Sequence, residues 1–581
     1  MDTMKPAIPR IDRLFWTSEV TAADWEKKIR FRAFSCAAAI VLLMQGFSMI
    51  ASNAASPGLE DPDNWPQYHR THDAWRYSPL TQINRDNVKR LKVAWIHQPG
   101  DITHGIQATP LAIDGVVFYS SAFNTVHALD GATGNSIWQY KPKLDAAVTQ
   151  LVFPAWSRGV AVAHGRVYLG TLDGRGIALD QKTGQEIWST QLTRFKGCHG
   201  CNFTSPPVVA GDVLTFGATG GDLAQSGDIY GVDARTGKVL WSFATIKDDP
   251  ASWPGESGKH GGGSAWMPGT YDPATDTVYY GTGNAAPWGG EDREGDNLYT
   301  ASVLALDPKS GAVKWYRQEI PHDVWDYDSA YEVLQIPVAG KDYLVHMSKS
   351  GFVFVMEKHG GTLHNVWRYS KHINWVDSID PETGELQGRH EHKLGVEMTQ
   401  CPSATGGRGW NSGAYSPVTG LWYNSGLEAC ASWTTFRPDP AKLGLSQAYT
   451  GIQNVQRVPP PGDRASARLD ARDPITGETK WSVDYPFPGY GGVLATAGGL
   501  VFNGDSEGVV RAHDADSGTE LWSFRTGSGI RGGIMSYAVN GKQYVLVPTG
   551  WGSYASIFAH AWFPELKKVN GGGAVIAFTV E

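Results

Sequence analysis

The sequence predicts an all-β protein, an eight-bladed β-propeller, on three observations. A turn motif ending in tryptophan recurs along the chain. Short alternating apolar stretches precede each copy. The composition is rich in residues that make strands and tight turns, with 69 Gly and 23 Trp among 581 residues.

The repeat reads Asp, three residues, Gly, three residues, Trp. Six copies start at Asp130, Asp180, Asp233, Asp307, Asp473 and Asp514 and end at Trp138, Trp188, Trp241, Trp315, Trp481 and Trp522. A looser copy runs from Glu357 through Gly361 to Trp367, and Trp95 ends the strand-like stretch Leu91–Trp95 with no turn before it. Stretches such as Val116–Tyr119 and Arg166–Leu169 read as strands. In the turn that follows, Asp offers local hydrogen bonds and Gly the positive φ. The next strand delivers an indole that can pack between neighbouring sheets while its N–H seeks an acceptor. One unit cannot bury its own faces, but a closed ring of units can. Eight such tryptophans predict eight blades docked through tryptophan; a seven-bladed ring with one decorated blade is the other count the spacing allows. The count is least secure between Trp367 and Trp481, where residues 436–466 read as a long loop. The last strand, Ala574–Val580, is expected to pair with N-terminal sequence and close the ring.

Charge and cysteine content narrow the function. A formal net charge of −8, with no basic block in the body of the chain, gives no basis for a nucleic-acid partner. At the N-terminus, Lys27, Lys28, Arg30 and Arg32 precede an apolar run from Ala33 to Ile50, and Ser52-Asn53-Ala54 follow. That order reads as a secretory signal over residues 1–54, with residues 55–581 as a single propeller domain and a periplasmic location. A membrane anchor is the competing reading of the same run. Beyond Cys36, four cysteines in two close pairs suit an oxidising compartment.

Four segments carry a resemblance to a known family. They are Tyr168–Gly174 (YLGTLDG), Tyr279–Asn284 (YYGTGN), Pro321–Asp328 (PHDVWDYD) and Gly491–Gly499 (GGVLATAGG). In order and spacing they resemble the quinoprotein alcohol dehydrogenases, the methanol and ethanol dehydrogenase group, from about Asn64 to the C-terminus. The resemblance implies oxidation of an alcohol with pyrroloquinoline quinone (PQQ) and one metal ion, calcium or a lanthanide. It implies Trp266 as the indole on which the quinone stacks. Arg158, Lys349, Thr204, Thr219, Gly220 and Gly221 match further quinone contacts, and Gln107 stands where many members have Glu. The implied metal ligands are Asp222, Asn284 and Asp326, all hard oxygen donors. Asp326 is also the implied general base.

Asp328 is an additional candidate ligand. Residues two apart in extended chain point the same way, so Asp326 and Asp328 can both face an ion. A carboxylate at this position resembles the lanthanide-dependent branch; the alternative is a hydrogen-bonded Asp beside a calcium site. Asp222 replaces the family's usual Glu.

Three departures bear on the substrate. Val152 and Phe153 fall where members acting on small alcohols carry adjacent cysteines, Gly409 precedes Trp410 where the family has Asn, and Lys349 replaces the Arg of methanol-oxidising members. They leave polyols, sugars and bulky secondary alcohols open. Cys401 and Cys430 match a family disulfide. Cys198-His199-Gly200-Cys201 lacks the His after the second Cys that haem attachment needs, and reads as a small disulfide loop or two free thiols. With no haem motif, electrons would leave to a separate soluble c-type cytochrome. A non-catalytic propeller scaffold of the cell envelope is the alternative from another class.

Overall fold

The computed structural model describes residues 59–581 apart from 152–154, 194–199 and 444–446, and in one helix the side chains of 553–555 and 557 are left aside. The segment read as a signal, the Val152-Phe153 pair and Cys198 therefore lie outside the described residues. Within them, no helix is long and apolar enough to cross a membrane.

Antiparallel sheets of four strands dominate. Five of them follow the chain in simple order, over residues 111–140, 161–191, 208–243, 270–318 and 334–368. The next joins Ala414–Ser416, Leu421–Glu428, Ser466–Arg472 and Thr479–Tyr485. Another spans residues 494–525 and gains Tyr77–Ser78 as a fifth, parallel strand. The last sheet combines Met535–Val539, Lys542–Thr549 and Ala574–Thr579 with Lys92–His97 from the other end of the chain. There Trp95 pairs with Ala577, so the expected pairing between the chain's two ends is present.

The repeated turn has the chemistry its residues suggest. Asp130 Oδ1 accepts from the amides of Ala132 and Thr133, at 3.0 and 2.9 Å, and from the Thr133 hydroxyl at 2.8 Å. Gly134 takes φ +73° and donates its amide to the Asp130 carbonyl. A Cβ on Gly134 would lie 2.5 Å from Trp95, because the indole of the preceding sheet rests on the turn. Glycine is thus required twice at one position, by backbone conformation and by contact.

The tryptophans link sheet to sheet with one geometry. Trp95, Trp138, Trp188, Trp241, Trp367 and Trp481 donate their indole N–H to the carbonyls of Gly131, Gln181, Ala234, Pro308, Pro474 and Ala515. Each acceptor directly follows the Asp that opens the next sheet's turn. Across the strand, Trp138, Trp188, Trp241, Trp315, Trp481 and Trp522 face only Ala or Gly, which leaves room for the ring. Trp522 meets Phe578 edge-on, in the sheet that also holds Trp95.

Two features depart from the sequence reading. Residues 436–466, expected as a long loop, contain the strand Ile452–Val458, which pairs with Cys430–Thr435 in a three-stranded sheet completed by Glu397–Gln400. Most of that strand is exposed on both faces, so it lacks the alternation that marks a strand in sequence. A ten-residue helix, Ser553–Trp562, interrupts the last sheet before its final strand. Cys401 and Cys430 form the expected disulfide, joining the segment before Trp410 to this three-stranded sheet. Cys201 is also disulfide-bonded, and its expected partner Cys198 lies outside the described residues.

Candidate active site

Loops at the ends of successive sheets contribute to one cavity of about 460 Å³. Arg158, Thr204, Thr219, Gly220, Gly221, Asp222, Trp266, Asn284, Asp326, Asp328 and Lys349 all border it. Gln107 does not: it is buried nearby in sequence to Ile106 and Thr109, and its Oε1 has no hydrogen-bond partner among the described residues.

Two buried carboxylates, Asp326 and Asp328, the half-buried carboxylate of Asp222 and one ammonium form its floor. Lys349 Nζ donates to Asp326 Oδ2 at 2.8 Å and also contacts Asp328 Oδ2. Asp328 Oδ1 accepts from the Trp266 indole at 3.2 Å and from the Asn284 amide at 3.1 Å. Asp222 Oδ1 accepts from Asn284 Nδ2 at 2.9 Å and from the Trp288 indole at 3.0 Å. Asp326 Oδ1 differs from these: it is buried and has no hydrogen-bond partner. A buried oxygen in that state is costly unless a cation or a proton donor fills the space.

Charge and burial set the proton affinities. Burial pushes Asp326 well above the ordinary carboxylate range; Lys349 opposes this, while Asp222 and Asp328 add to it. Burial also raises Asp222, with Asp328 the next contributor. For Lys349 burial works downward, but Asp326 and Asp328 together outweigh it and hold the ammonium charged.

Backbone shape brings Asp326 to this position. It sits at φ +63°, so the chain from Asp326 to Asp328 is not the plain extended segment that the i, i+2 argument assumed. Buried Asp323 braces the turn, its two oxygens accepting from the amides of Trp325 and Tyr327 at 3.0 Å each. Gly283 clears space for the neighbouring carboxylate, since a Cβ there would lie 2.5 Å from Asp328 Oδ1.

Above the floor, the Arg158 guanidinium lies 4.8 Å from both the Trp266 and Trp410 rings. Burial lowers its pKa to about 9. Its side chain also donates to the Thr204 hydroxyl. Gly220, at φ +116°, and Gly221, whose amide donates to Ser264 Oγ at 2.6 Å, leave open backbone on one side. The Thr219 hydroxyl donates to the Gly200 carbonyl at 2.6 Å and also contacts the Asn202 side chain, both on the cavity wall.

The donor set suits a hard cation in composition rather than in a preformed cage. Among the described residues no three His, Cys, Asp or Glu side chains cluster tightly enough to hold an ion by themselves. The set that does converge includes Asn284, and Lys349 holds the carboxylates Asp326 and Asp328. The free Oδ1 of Asp326 is the observation that fits a cation.

Sequence reasoning missed several wall residues. Trp288 caps Asp222 from 66 positions away, and Trp433, Trp562, Tyr490 and Arg457 line the outer cavity from the three-stranded sheet, the helix and a loop. None belongs to a repeat, so no local signal marks them.

Comparison with known proteins agrees with this geometry. The family model described as PQQ, glucose/ethanol/alcohol dehydrogenase, beta-propeller domain, matches residues 65–368 and 464–545. The chain is 36% identical to quinohemoprotein alcohol dehydrogenase ADH IIB of Pseudomonas putida, over 85% of this chain and 74% of that one. It is 31% identical to the Pseudomonas putida quinoprotein alcohol dehydrogenase PedH, covering 90% and 92%. Among solved structures, a europium-containing methanol dehydrogenase superposes with TM-score 0.84 at 30% identity, covering 90% of this chain and 99% of that one. The enzyme reading thus stands over the scaffold alternative: this chain belongs to the PQQ-dependent quinoprotein alcohol dehydrogenases, oxidoreductases acting on CH–OH groups, with a β-propeller fold.

Proposed function

We propose that the chain oxidises an alcohol bulkier than methanol to its carbonyl compound, in the periplasm, and passes electrons to a separate c-type cytochrome. The observation that carries the catalytic assignment is the buried, unpartnered Oδ1 of Asp326 beside a charged Lys349. When bound, PQQ supplies the acceptor for the hydride of the carbinol carbon, and the metal supplies a Lewis acid.

The protein's own residues then bind, orient and move the proton. Trp266 offers a flat ring as the quinone's floor, and Arg158 offers positive charge for its carboxylates. Thr204, Thr219, Gly220 and Gly221 shape one rim, and Lys349 provides positive charge on the opposite side. Asp222, Asn284, Asp326 and Asp328 would hold the metal, with Asp328 weighting the set toward a trivalent lanthanide over calcium. Asp326 would hold the metal through one carboxylate oxygen and accept the hydroxyl proton at the other. For Asp326 to serve both roles, Lys349 would have to give up Oδ2 as the ion enters.

The cavity of about 460 Å³ supports the bulkier substrate. The signal-like order of residues 1–54 supports export, with residues 55–581 as the mature domain. We further read the sheets of four or five strands as eight blades of one ring docked through tryptophan, on the strength of the repeated indole-to-turn hydrogen bonds.

The test is dye-coupled oxidation by the mature protein, given PQQ with calcium or with lanthanum, over small, cyclic and polyhydric alcohols. Turnover that requires both PQQ and a metal is the expected result. Failure of every alcohol with either metal would overturn the proposal.

A further inference from the structure

The outer cavity holds a cation that the redox chemistry described above does not use. Arg457, on the strand Ile452–Val458, borders the cavity with its guanidinium 4.1 Å from the Phe558 ring. It is half-buried, and no carboxylate lies within ion-pair distance of it among the described residues; the one charged or titratable group acting on it is Tyr490. Tyr490 borders the same cavity, is 2% exposed, and its hydroxyl is buried with no hydrogen-bond partner. A second arginine, Arg531, also borders the cavity, is held by a 2.8 Å bond to the Gly552 carbonyl, and acts with Arg457 on the Tyr490 phenol.

A half-buried guanidinium with no carboxylate partner and a buried hydroxyl with no hydrogen-bond partner border the same cavity, and the unpartnered hydroxyl is the costly one. Together they offer what a carboxylate needs: charge-assisted N–H donors and one O–H donor. The surrounding wall is apolar and aromatic, from Trp433, Phe558, Trp562 and Ile452. We propose that Arg457 and Tyr490, in the field of Arg531, form a carboxylate site that selects alcohols carrying an acid group on an aromatic or cyclic body. This deepens the dehydrogenase reading and rests on it for the word substrate. The quinone's own carboxylates are the other possible occupant of such a site, and the experiment separates the two.

The measurement compares 4-(hydroxymethyl)benzoate with 4-methylbenzyl alcohol, a pair alike in shape and different in charge, on the holoenzyme and its Arg457→Met, Arg457→Lys and Tyr490→Phe variants. The wild type is expected to favour the acid, and Arg457→Met to raise KM for the acid about 10- to 100-fold more than KM for the neutral alcohol. Arg457→Lys should recover part of that ratio, and Tyr490→Phe should lose part of it. Benzoate binding, followed by tryptophan fluorescence, and PQQ affinity are measured on the same proteins. An unchanged acid-to-neutral KM ratio in Arg457→Met overturns the site. A fall in PQQ affinity with that ratio unchanged assigns the wall to the quinone and overturns it too. If neither alcohol is oxidised, Arg457-dependent benzoate binding keeps the carboxylate site while the dehydrogenase reading fails; absence of both overturns both.

Discussion

The Trp266 indole and the Asp328 carboxylate are joined by a hydrogen bond, Nε1 donating to Oδ1 at 3.2 Å. The candidate cofactor floor and the candidate extra metal ligand are therefore mechanically linked. Asp328 also fixes the Asn284 amide, so one carboxylate orients both halves of the site.

This linkage separates two roles of Asp328. Asp328→Asn keeps an oxygen for Trp266 and Asn284 but removes a charge. It should weaken lanthanide binding at least about tenfold, since one lost charge at close range is worth a few kcal/mol, and leave PQQ affinity nearly unchanged. Asp328→Ala should weaken both. Terbium luminescence titration and PQQ fluorescence quenching measure the two affinities, and equal metal affinity in Asp328→Asn and wild type would remove Asp328 from the ligand set.

Lys349 should show effects of opposite sign. It holds Asp326 and Asp328, so Lys349→Met frees those carboxylates and should tighten metal binding. Turnover should nevertheless fall about a hundredfold, because the charge that opposes protonation of Asp326 is gone. Lys349→Arg should retain part of the rate. Parallel metal titration and single-turnover kinetics check both directions.

The turn glycines carry a stability prediction away from the site. In Gly184→Ala, the new methyl would meet Trp138 at 2.6 Å in a residue held at φ +71°. A loss of about 2–4 kcal/mol is expected from the clash and the left-handed backbone together. Denaturant unfolding would show it, while kcat below the transition should match wild type.

Acid stability should depend on His69. It is 4% exposed, and burial lowers its pKa from 6.5 to about 3. The unfolded chain binds the proton first, so the stabilising contribution is complete above about pH 6.5 and is lost as pH falls toward 3. The slope reaches about 1.4 kcal/mol per pH unit in that window. His69→Phe should flatten that part of the profile, measured by denaturant titrations between pH 4 and 7.

The repeats were readable because each is marked by three residues close in sequence, Asp130 and Gly134 making the turn and Trp138 reaching from the following strand to the next turn. The same holds for the loops bearing Asp222, Asn284, Asp326 and Lys349, which border one cavity as the family resemblance implies. What escaped was non-periodic. The strand Ile452–Val458 shows mostly polar and exposed faces, and Trp288 meets Asp222 through a contact no local pattern announces. Asp326 reaches its position through a left-handed residue rather than an extended strand, a conformation that sequence alternation does not encode. Gln107 was matched by position alone, and it is buried outside the cavity wall.

The pairing of Lys92–His97 with Ala574–Thr579 has a consequence for biogenesis. An early strand must wait, unmatched along one edge, until residues 574–579 leave the ribosome. Until then it is a template for pairing with another chain. Nascent protein, or protein truncated before Ala574, should accordingly depend on chaperones, and loss of the strand Ala574–Thr579 should yield aggregates instead of a slightly weakened enzyme. The strand Ala574–Thr579 works as a latch.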